Sequence, residues 1–442
     1  MNTRQEAWSI IVKVLKNNMF SDKLLMQSAK KMKENNLNAE LLYFLVRGVI
    51  KKHLKLDYII SQYVDKEKYK NTDIKIKSLL YLAFYQLLYC KSIPEHAAVN
   101  ETVEIARKNF NEQIAGFVNA VLREYLRNPE YKYPEEEAER ISIEHSFPLE
   151  IVQKLLLYWD IEYVEYLCMY FNEPPKLYMR VNSLATSKDK LINYFQKKGV
   201  KLMESNASKN VMISEDANIV LNDVAFDEGY FTIQDISAVL TIELLDPQED
   251  DSILDLFAGR GGKTSYIAEL MQNTGEIIAV DKIPHKIKEM KQTLARVLAT
   301  NVLLEVNDAF KFGPVAPIYD KVIIDVPCSG WGVFQKKPEL RWQERQDIPE
   351  LIKLQEKALY TASSFVKPGG ILLYSTCTIN PEENEVQINK FLRENPEYEL
   401  IPAETVIPKE YTENGFLKTV PHKHNMDGAF AAKMRKRDDG RN

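Results

Sequence analysis

The stretch Ser252-Ile-Leu-Asp-Leu-Phe-Ala-Gly-Arg-Gly-Gly-Lys-Thr264 constrains the fold more than any other part of the chain. An apolar run containing an acid stops at three glycines in four positions and gives way to a helical pattern. That order reads as a strand, a tight turn and a helix whose first N–H groups face a ligand. Gly259, Gly261 and Gly262 let the backbone approach the ligand with no Cβ in the way. Beyond the turn, strands are expected over 253–257, 276–281, 302–306, 321–326 and 371–375, alternating with helices over 263–271, 284–300 and 350–366. Apolar strands separated by amphipathic helices predict a parallel sheet covered on both faces. Ligands of such sheets lie beyond the carboxyl ends of the strands.

Three ligands compete for the turn. Gly262-Lys263-Thr264 ends like a phosphate-binding loop, and Asp325 after Val322-Ile-Ile could hold its magnesium, but that loop needs glycine where Phe257 stands. A dinucleotide fingerprint finds its first two glycines in Gly259 and Gly261, and its third position is filled by Thr264. S-adenosylmethionine remains, a cofactor without phosphate that suits a loop packing on an adenosine and an amino-acid tail. Phe257, Ala258, Gly259, Arg260, Gly261, Gly262 and Lys263 are the candidate cofactor loop.

Acids recur at the same edge. Asp255 lies in the first strand, Asp281 after the second, Asp308 beyond the third and Asp325 at the end of the fourth. Asp281 is placed to accept hydrogen bonds from ribose hydroxyls, and Asp308 would then lie near the adenine. A lone acid at a strand end is most often a cap; four in register with one glycine turn point to a ligand.

The rest of the chain divides by composition. Residues 1–128 are rich in apolar positions at helical spacing and poor in glycine and proline, which predicts a helical bundle. This part carries 21 Lys and Arg against 13 Asp and Glu, although the whole chain has a net charge of −5. A basic front on an acidic body is expected to meet a polyanion. Asn100 and Asn119, set in apolar helix patterns, read as buried hydrogen bonders. Residues 129–245 read as a linker and a small α/β subdomain, with strands near 177–182 and 229–235, and residues 246–442 as the sheet-bearing domain. Arg180-Val-Asn182 and Gln234-Asp-Ile-Ser237 are compatible with substrate or domain contacts and equally with local capping. No run reaches the ~18 apolar residues of a membrane helix. No export signal is read at the start, and four cysteines make no disulfide framework, so a reducing cytoplasm is expected. The six histidines show no ligand spacing, so no metal is expected.

Two cysteines stand apart from the other two. Asp325-Val-Pro-Cys-Ser-Gly330 and Tyr374-Ser-Thr-Cys-Thr378 place Cys328 and Cys377 just past consecutive strands of the sheet, so both can face the cofactor. Cys90 and Cys168 sit in apolar helical stretches and read as buried small hydrophobes.

Ala97-Ala-Val-Asn-Glu-Thr-Val-Glu-Ile-Ala-Arg107 and Gly116-Phe-Val-Asn-Ala-Val-Leu-Arg123 resemble the signature helices of NusB-like RNA-binding domains. Together with Phe231-Thr-Ile-Gln-Asp-Ile-Ser-Ala238, the glycine turn, Pro327-Cys-Ser-Gly330, Thr376-Cys377, Pro381-Glu-Glu-Asn384 and Asp427-Gly-Ala-Phe-Ala-Ala-Lys433, they make the chain resemble the RsmB-type bacterial ribosomal RNA cytosine-5 methyltransferases. The resemblance implies an all-α NusB-like domain, a small α/β segment and a Rossmann-like S-adenosylmethionine-dependent methyltransferase domain. It implies a monomer acting on 16S ribosomal RNA or a small-subunit assembly intermediate. It further implies that Cys377 attacks carbon 6 of cytosine, because carbon 5 is otherwise too poor a nucleophile for a sulfonium methyl. Cys328 would assist release of the carbon 5 proton and product, and Asp325 and Lys263 would serve the same pocket, on a base unstacked from its RNA. A phosphate-loop NTPase and a non-enzymatic RNA binder are the competing classes.

The chain departs from the family at two motifs, with Phe257-Ala-Gly-Arg for Cys-Ala-Ala-Pro and Trp331 for Thr. Arg260 is a candidate contact to the cofactor carboxylate, and Trp331 either stacks on a nucleotide or packs the loop. Lys336, Lys337 and Arg341, then His422, Lys423 and His424, then Lys433, Arg435, Lys436 and Arg437 are expected as basic groups for phosphate contacts.

Overall fold

The computed structural model describes residues 2–34, 39–313, 318–342 and 347–438. The chain forms two compact units, Met1–Glu173 with Phe334–Arg345, and Pro174–Val333 with Gln346–Asn442. The expected 129–245 segment is therefore divided: its helices Glu137–His145, Leu149–Leu156 and Ile161–Asn172 belong to the first unit and its strands to the second. The physical reason lies in those helices' apolar faces. Ile141, Val152, Leu155, Val164 and Leu167 are buried, and Pro174-Pro175 stops the last helix.

Among the described residues of the first unit, the regular elements are all helices. At its centre runs the helix Ile74–Tyr89, buried at every position from Ser78 to Gln86. A helix apolar all round has no solvent face and must be wrapped by others, here by Thr3–Asn17, Ala39–Ser61 and Glu95–Asn109, among others. Asn100 and Asn119 are not buried hydrogen bonders. They line an open polar groove beside Glu104, Arg107 and Glu112, and Asn119 accepts a bond from the Arg123 guanidinium at 3.1 Å. Glu144, His145 and Glu165 bring ligand-type atoms within 4.8 Å of one another. Arg140 already bonds both carboxylates there, at 2.9 and 2.7 Å.

Arg341 corrects another expectation. It is buried, lying 3.8 Å above the Phe147 ring, and donates to the Phe171 carbonyl and the Asn172 side chain at 3.0 Å each. Its charge satisfies the orphan carbonyl end of the helix Ile161–Asn172, so it offers nothing to a phosphate.

The second unit holds two sheets. The small one is antiparallel, with β1 (Leu177–Val181), β2 (Leu202–Glu204), β3 (Val211–Ser214) and β4 (Phe231–Ile233) in the order β2-β3-β1-β4. The large one comprises β5 (Ser252–Asp255), β6 (Glu276–Asp281), β7 (Val302–Val306), β8 (Tyr319–Asp325), β9 (Val366–Thr376), β10 (Tyr398–Ile401), β11 (Thr412–Glu413), β12 (Phe416–Thr419) and β13 (Ala429–Lys436). Its order is β11-β12-β13-β9-β8-β5-β6-β7, with β10 beside β13. The five strands β7-β6-β5-β8-β9 are parallel, as expected, and β13 adds antiparallel to β9. The sheet is therefore mixed. From β5 the chain winds outward through β6 and β7, then returns across β5 to β8. That reversal opens a crevice at the carboxyl ends of β5 and β8, where doubly wound sheets bind ligands.

Arg180 and Asn182 serve the scaffold. Arg180 is fully buried and meets Glu269 at 3.2 Å, the Gly262 carbonyl at 3.2 Å and Ser265 at 3.1 Å, besides bonding Gln234. It thereby ties β1 to the helix Gly262–Leu270 that starts at the glycine turn. Asn182 donates to the carbonyls of Gly229 and Val297, at 2.8 and 2.9 Å. Asp235 caps the helix Ile236–Leu245 and accepts a bond from the Asp427 amide at 3.1 Å. Among the described residues, no helix is long and apolar enough to cross a membrane.

Candidate active site

The glycine turn follows β5 as the sequence pattern suggests. Gly261 is the N-cap of the helix Gly262–Leu270, at φ +79°, and a Cβ there would fall 2.3 Å from Met290 Cγ. Only glycine combines that dihedral with that approach. The turn is fastened to β6 by two bonds, Ala258 N–H to the Val280 carbonyl at 3.0 Å and Gly259 N–H to Asp281 Oδ2 at 3.1 Å. Asp281 Oδ1 also accepts from the Ile283 amide at 2.9 Å, and Lys286 stands 3.4 Å from Oδ2. A carboxylate has about four acceptor positions, so Asp281 shapes the loop and retains capacity for a hydroxyl. Asp308 accepts from the Phe310 amide at 3.0 Å, and Phe310 meets Phe257 edge-on, their ring centroids 6.0 Å apart.

Arg260 is turned to solvent, paired with Glu289 at 2.7 Å. A contact from Arg260 to a cofactor carboxylate would have to break that pair, which as an exposed one is worth about 0–1 kcal/mol. Trp331 is buried, so it packs the loop.

Asp255 lies beneath the turn, 1% exposed, and accepts the Thr264 hydroxyl at 2.7 Å. Burial, aided by the neighbouring Asp325 charge, pushes its pKa up to about 7 against the opposing Thr264 bond and Lys263. Lys263 Nζ pairs with Asp325 Oδ2 at 2.6 Å, and Asp325 Oδ1 accepts the Ser375 hydroxyl at 2.9 Å. Burial would lower the lysine's pKa, yet Asp325, together with Cys377 and Asp255, outweighs it and raises it. A lysine that stays charged but is paired with Asp325 in this way is poorly placed to grip a nucleotide's phosphates, which argues against the NTPase class.

The parallel pairing of β8 with β9 puts Asp325 opposite Ser375, so the turns that follow lie side by side. Cys328 and Cys377 meet there with their sulfurs 3.3 Å apart, both free thiols and both half-buried. The Cys377 amide also points at the Cys328 sulfur, at 3.3 Å. The bond to Cys377, then burial, hold the Cys328 thiol's pKa well above its usual value. Gly332 lets the Pro-Cys turn close: its N–H reaches the Cys377 carbonyl at 3.1 Å, and an added Cβ would lie 1.8 Å from the Gly428 carbonyl oxygen. Cys90 and Cys168 are buried elsewhere.

The structure thus gathers Cys328, Cys377, Asp325, Lys263 and Asp255 at the carboxyl ends of β5, β8 and β9. Thr264 and Ser375 orient the two acids; from the sequence Thr264 reads only as the end of the phosphate-loop-like motif and Ser375 only as a neighbour of Cys377, since a motif does not name a hydroxyl's partner. Basic groups thin out: Lys433 is buried as Arg341 is, while Lys337, Lys423, Arg435 and Arg437 stay exposed. An arrangement of two thiols, a lysine and a carboxylate can form and break a covalent bond to an electrophilic carbon and manage the protons involved.

Comparison with known proteins gives two family matches, "16S rRNA methyltransferase RsmB/F" over residues 242–435 and "NusB family" over residues 1–127. A Bacillus subtilis (strain 168) protein named "Probable ribosomal RNA small subunit methyltransferase B" is 32% identical, with 99% of each chain covered. Among solved structures, one described as "Crystal Structure of PH0851" is 26% identical, with a TM-score of 0.82 over 99% of each chain. A "Methyltransferase Homolog Protein from Pyrococcus Horikoshii" is 27% identical, with a TM-score of 0.59 over 69% of this chain and 100% of its own.

Proposed function

The chain belongs to the RsmB/F family of S-adenosylmethionine-dependent ribosomal RNA methyltransferases, with an N-terminal NusB domain, and from that premise we propose that it methylates carbon 5 of a cytosine in 16S ribosomal RNA. One observation carries the reading: two free thiols 3.3 Å apart beside a lysine–aspartate pair. Methylation at an oxygen or an exocyclic nitrogen, which carry lone pairs, needs no such pair.

S-adenosylmethionine supplies the methyl group as an electrophile on its sulfonium sulfur. The loop from Phe257 to Lys263 fits it, since glycine amides, the Asp281 and Asp308 carboxylates and the Phe257 ring suit a nucleoside with hydroxyls and no phosphate. The Cys377 thiol gives up its proton to solvent, and the thiolate attacks carbon 6 of the flipped cytosine, forming an S–C bond and turning carbon 5 into an enamine-like nucleophile. Asp325 accepts a hydrogen bond from the cytosine's amino group and so orients the ring for addition, and Lys263 holds Asp325 in place and offers a cation to the negative charge that passes from the sulfur to the ring. Once carbon 5 carries the methyl, its proton leaves toward Cys328, the electrons return to the ring, and the Cys377 sulfur is expelled from carbon 6. To take that proton the Cys328 thiol first gives up its own to solvent, and its raised pKa makes the resulting thiolate the stronger base of the two sulfurs.

The NusB domain and the basic front supply RNA affinity, on naked 16S RNA or a small-subunit intermediate in the cytoplasm. No metal ion and no second copy of the chain enter the reaction. Bisulfite sequencing of ribosomal RNA from cells with and without the gene tests the reading. One 16S cytosine should lose protection when the gene is absent, and an unchanged pattern overturns the proposed substrate position.

A further inference from the structure

Glu383 belongs to the 3₁₀ turn Pro381–Glu383, lies outside the reacting groups and is fully buried. Its four bonded donors are all neutral. Oε1 accepts from the Ser329 amide at 2.8 Å and from Gln355 Nε2 at 2.9 Å. Oε2 accepts from the Ser329 hydroxyl at 2.5 Å and from Asn380 Nδ2 at 3.0 Å. Burying a carboxylate without a cation is costly, and a structure that retains one has arranged donors around it for a reason that packing alone does not supply.

The donors come from both cysteine turns. Ser329 follows Cys328 directly, and Gln355 also holds the carbonyl of Pro327, the residue before it, at 3.1 Å. On the other side, Asn380 and Thr378 follow Cys377, and Thr378 meets the Ser329 hydroxyl at 2.7 Å. The neighbouring Asn384 brackets Cys377, accepting the Thr376 hydroxyl at 2.6 Å and donating to the Thr378 carbonyl at 2.9 Å. The Glu383 carbonyl accepts the Tyr374 hydroxyl at 2.6 Å, which anchors the turn to β9.

We infer that Glu383 is a positioning residue: its buried carboxylate clasps the Cys328 turn to the Cys377 turn and sets the separation of the two sulfurs. The inference rests on the two-thiol reaction proposed above. By that reaction, Cys328 must reach the carbon 5 proton while Cys377 is still bonded to carbon 6, so loosening the clasp slows release more than attack. The charge of Glu383 also contributes to keeping the Cys328 thiol protonated.

The test uses the full-length Glu383→Gln protein, in which an amide NH₂ of equal size would face donors. Phenylarsine oxide bridges neighbouring thiols, forming two As–S bonds and releasing water, and needs no RNA. Its rate of bridging Cys328 to Cys377 is followed by mass spectrometry, alongside the fraction of enzyme caught as a denaturant-stable RNA adduct at steady state. Displacement of a thiol by about 1 Å is expected to slow bridging about tenfold or more and to raise the adduct fraction severalfold. S-adenosylmethionine binding reports that the fold persists. General loosening would expose Cys90 and Cys168 and lower every step without raising the adduct fraction. A folded Glu383→Gln protein that bridges at the wild-type rate overturns the inference. Should that variant fail to fold, Ser329→Ala, which removes one donor, must slow bridging in the same direction, and wild-type bridging by it refutes the clasp. If bridging slows as expected but wild type and variant alike form no RNA adduct, the clasp stands and the covalent reaction falls.

Discussion

Asp325→Asn separates the chemistry of the site from its stability. The substitution keeps shape and the Ser375 bond but leaves Lys263 facing a neutral amide where a carboxylate stood 2.6 Å away. Removing one partner of a fully buried ion pair costs about 3–5 kcal/mol. This pair is only partly sheltered, with 35% of the Asp325 side chain and 18% of the Lys263 side chain exposed. Solvent screening therefore reduces the cost to about 1–2 kcal/mol. On the reaction, losing a charge-assisted hydrogen bond that orients the ring costs about 10²–10³ in rate, or roughly 3–4 kcal/mol. The two effects differ enough to be told apart. Urea unfolding should move by the smaller amount, while single-turnover methyl transfer at saturating cofactor and RNA should fall by the larger. A single-turnover rate within about tenfold of wild type would refute the assignment of Asp325 to the reacting ring.

Three further outcomes follow from the geometry. Cys377→Ala abolishes methyl transfer while S-adenosylmethionine still binds by calorimetry, because the thiol belongs to the turn after β9 and the candidate cofactor loop to the turn after β5; residual turnover would remove Cys377 from the reaction. Asp255 has a folded pKa raised to about 7, above its unfolded value, so its contribution to stability is complete at low pH and is lost as pH rises through about 7. Relative to wild type, Asp255→Asn should therefore gain stability between pH 4 and pH 8, by about 2–4 kcal/mol; a pH-independent difference in urea midpoints contradicts this. Arg341→Ala should lower the stability of the helical unit by about 2–4 kcal/mol, since it orphans buried carbonyls, and leave the salt dependence of RNA binding unchanged; a shallower salt slope would return Arg341 to the phosphate-binding groups.

Local signals were legible where one residue type has one physical use. The glycine turn is read correctly because positive φ and close approach leave no other choice, and β6 spans residues 276–281 as its apolar run suggests. The proximity of the two thiols follows from parallel neighbours ending at one edge. What escaped depends on contacts far apart in sequence. β13 is buried on both faces from Ala429 to Met434, so it lacks the alternation that marks a strand. Its direction in the sheet is set by pairing with β9. Asn100 sits in an apolar helical pattern yet faces outward, because a helix of mixed face gives no sign of which edge meets solvent. Arg341 and Trp331 are residue types that bind nucleic acid when exposed, and only burial shows that they bind protein instead. The role of Glu383 was hidden for the same reason, its partners being Ser329, Gln355 and Asn380.

The central claim is that Cys377 bonds to the RNA and Cys328 frees it. The most direct measurement incubates Cys328→Ser with S-adenosylmethionine and 16S RNA, resolves the mixture on a denaturing gel and maps the joined residue by mass spectrometry. The account predicts a shifted protein–RNA band whose cross-link lies on Cys377 and carries a methylated cytosine. No shifted band, or a cross-link on any other residue, would contradict it.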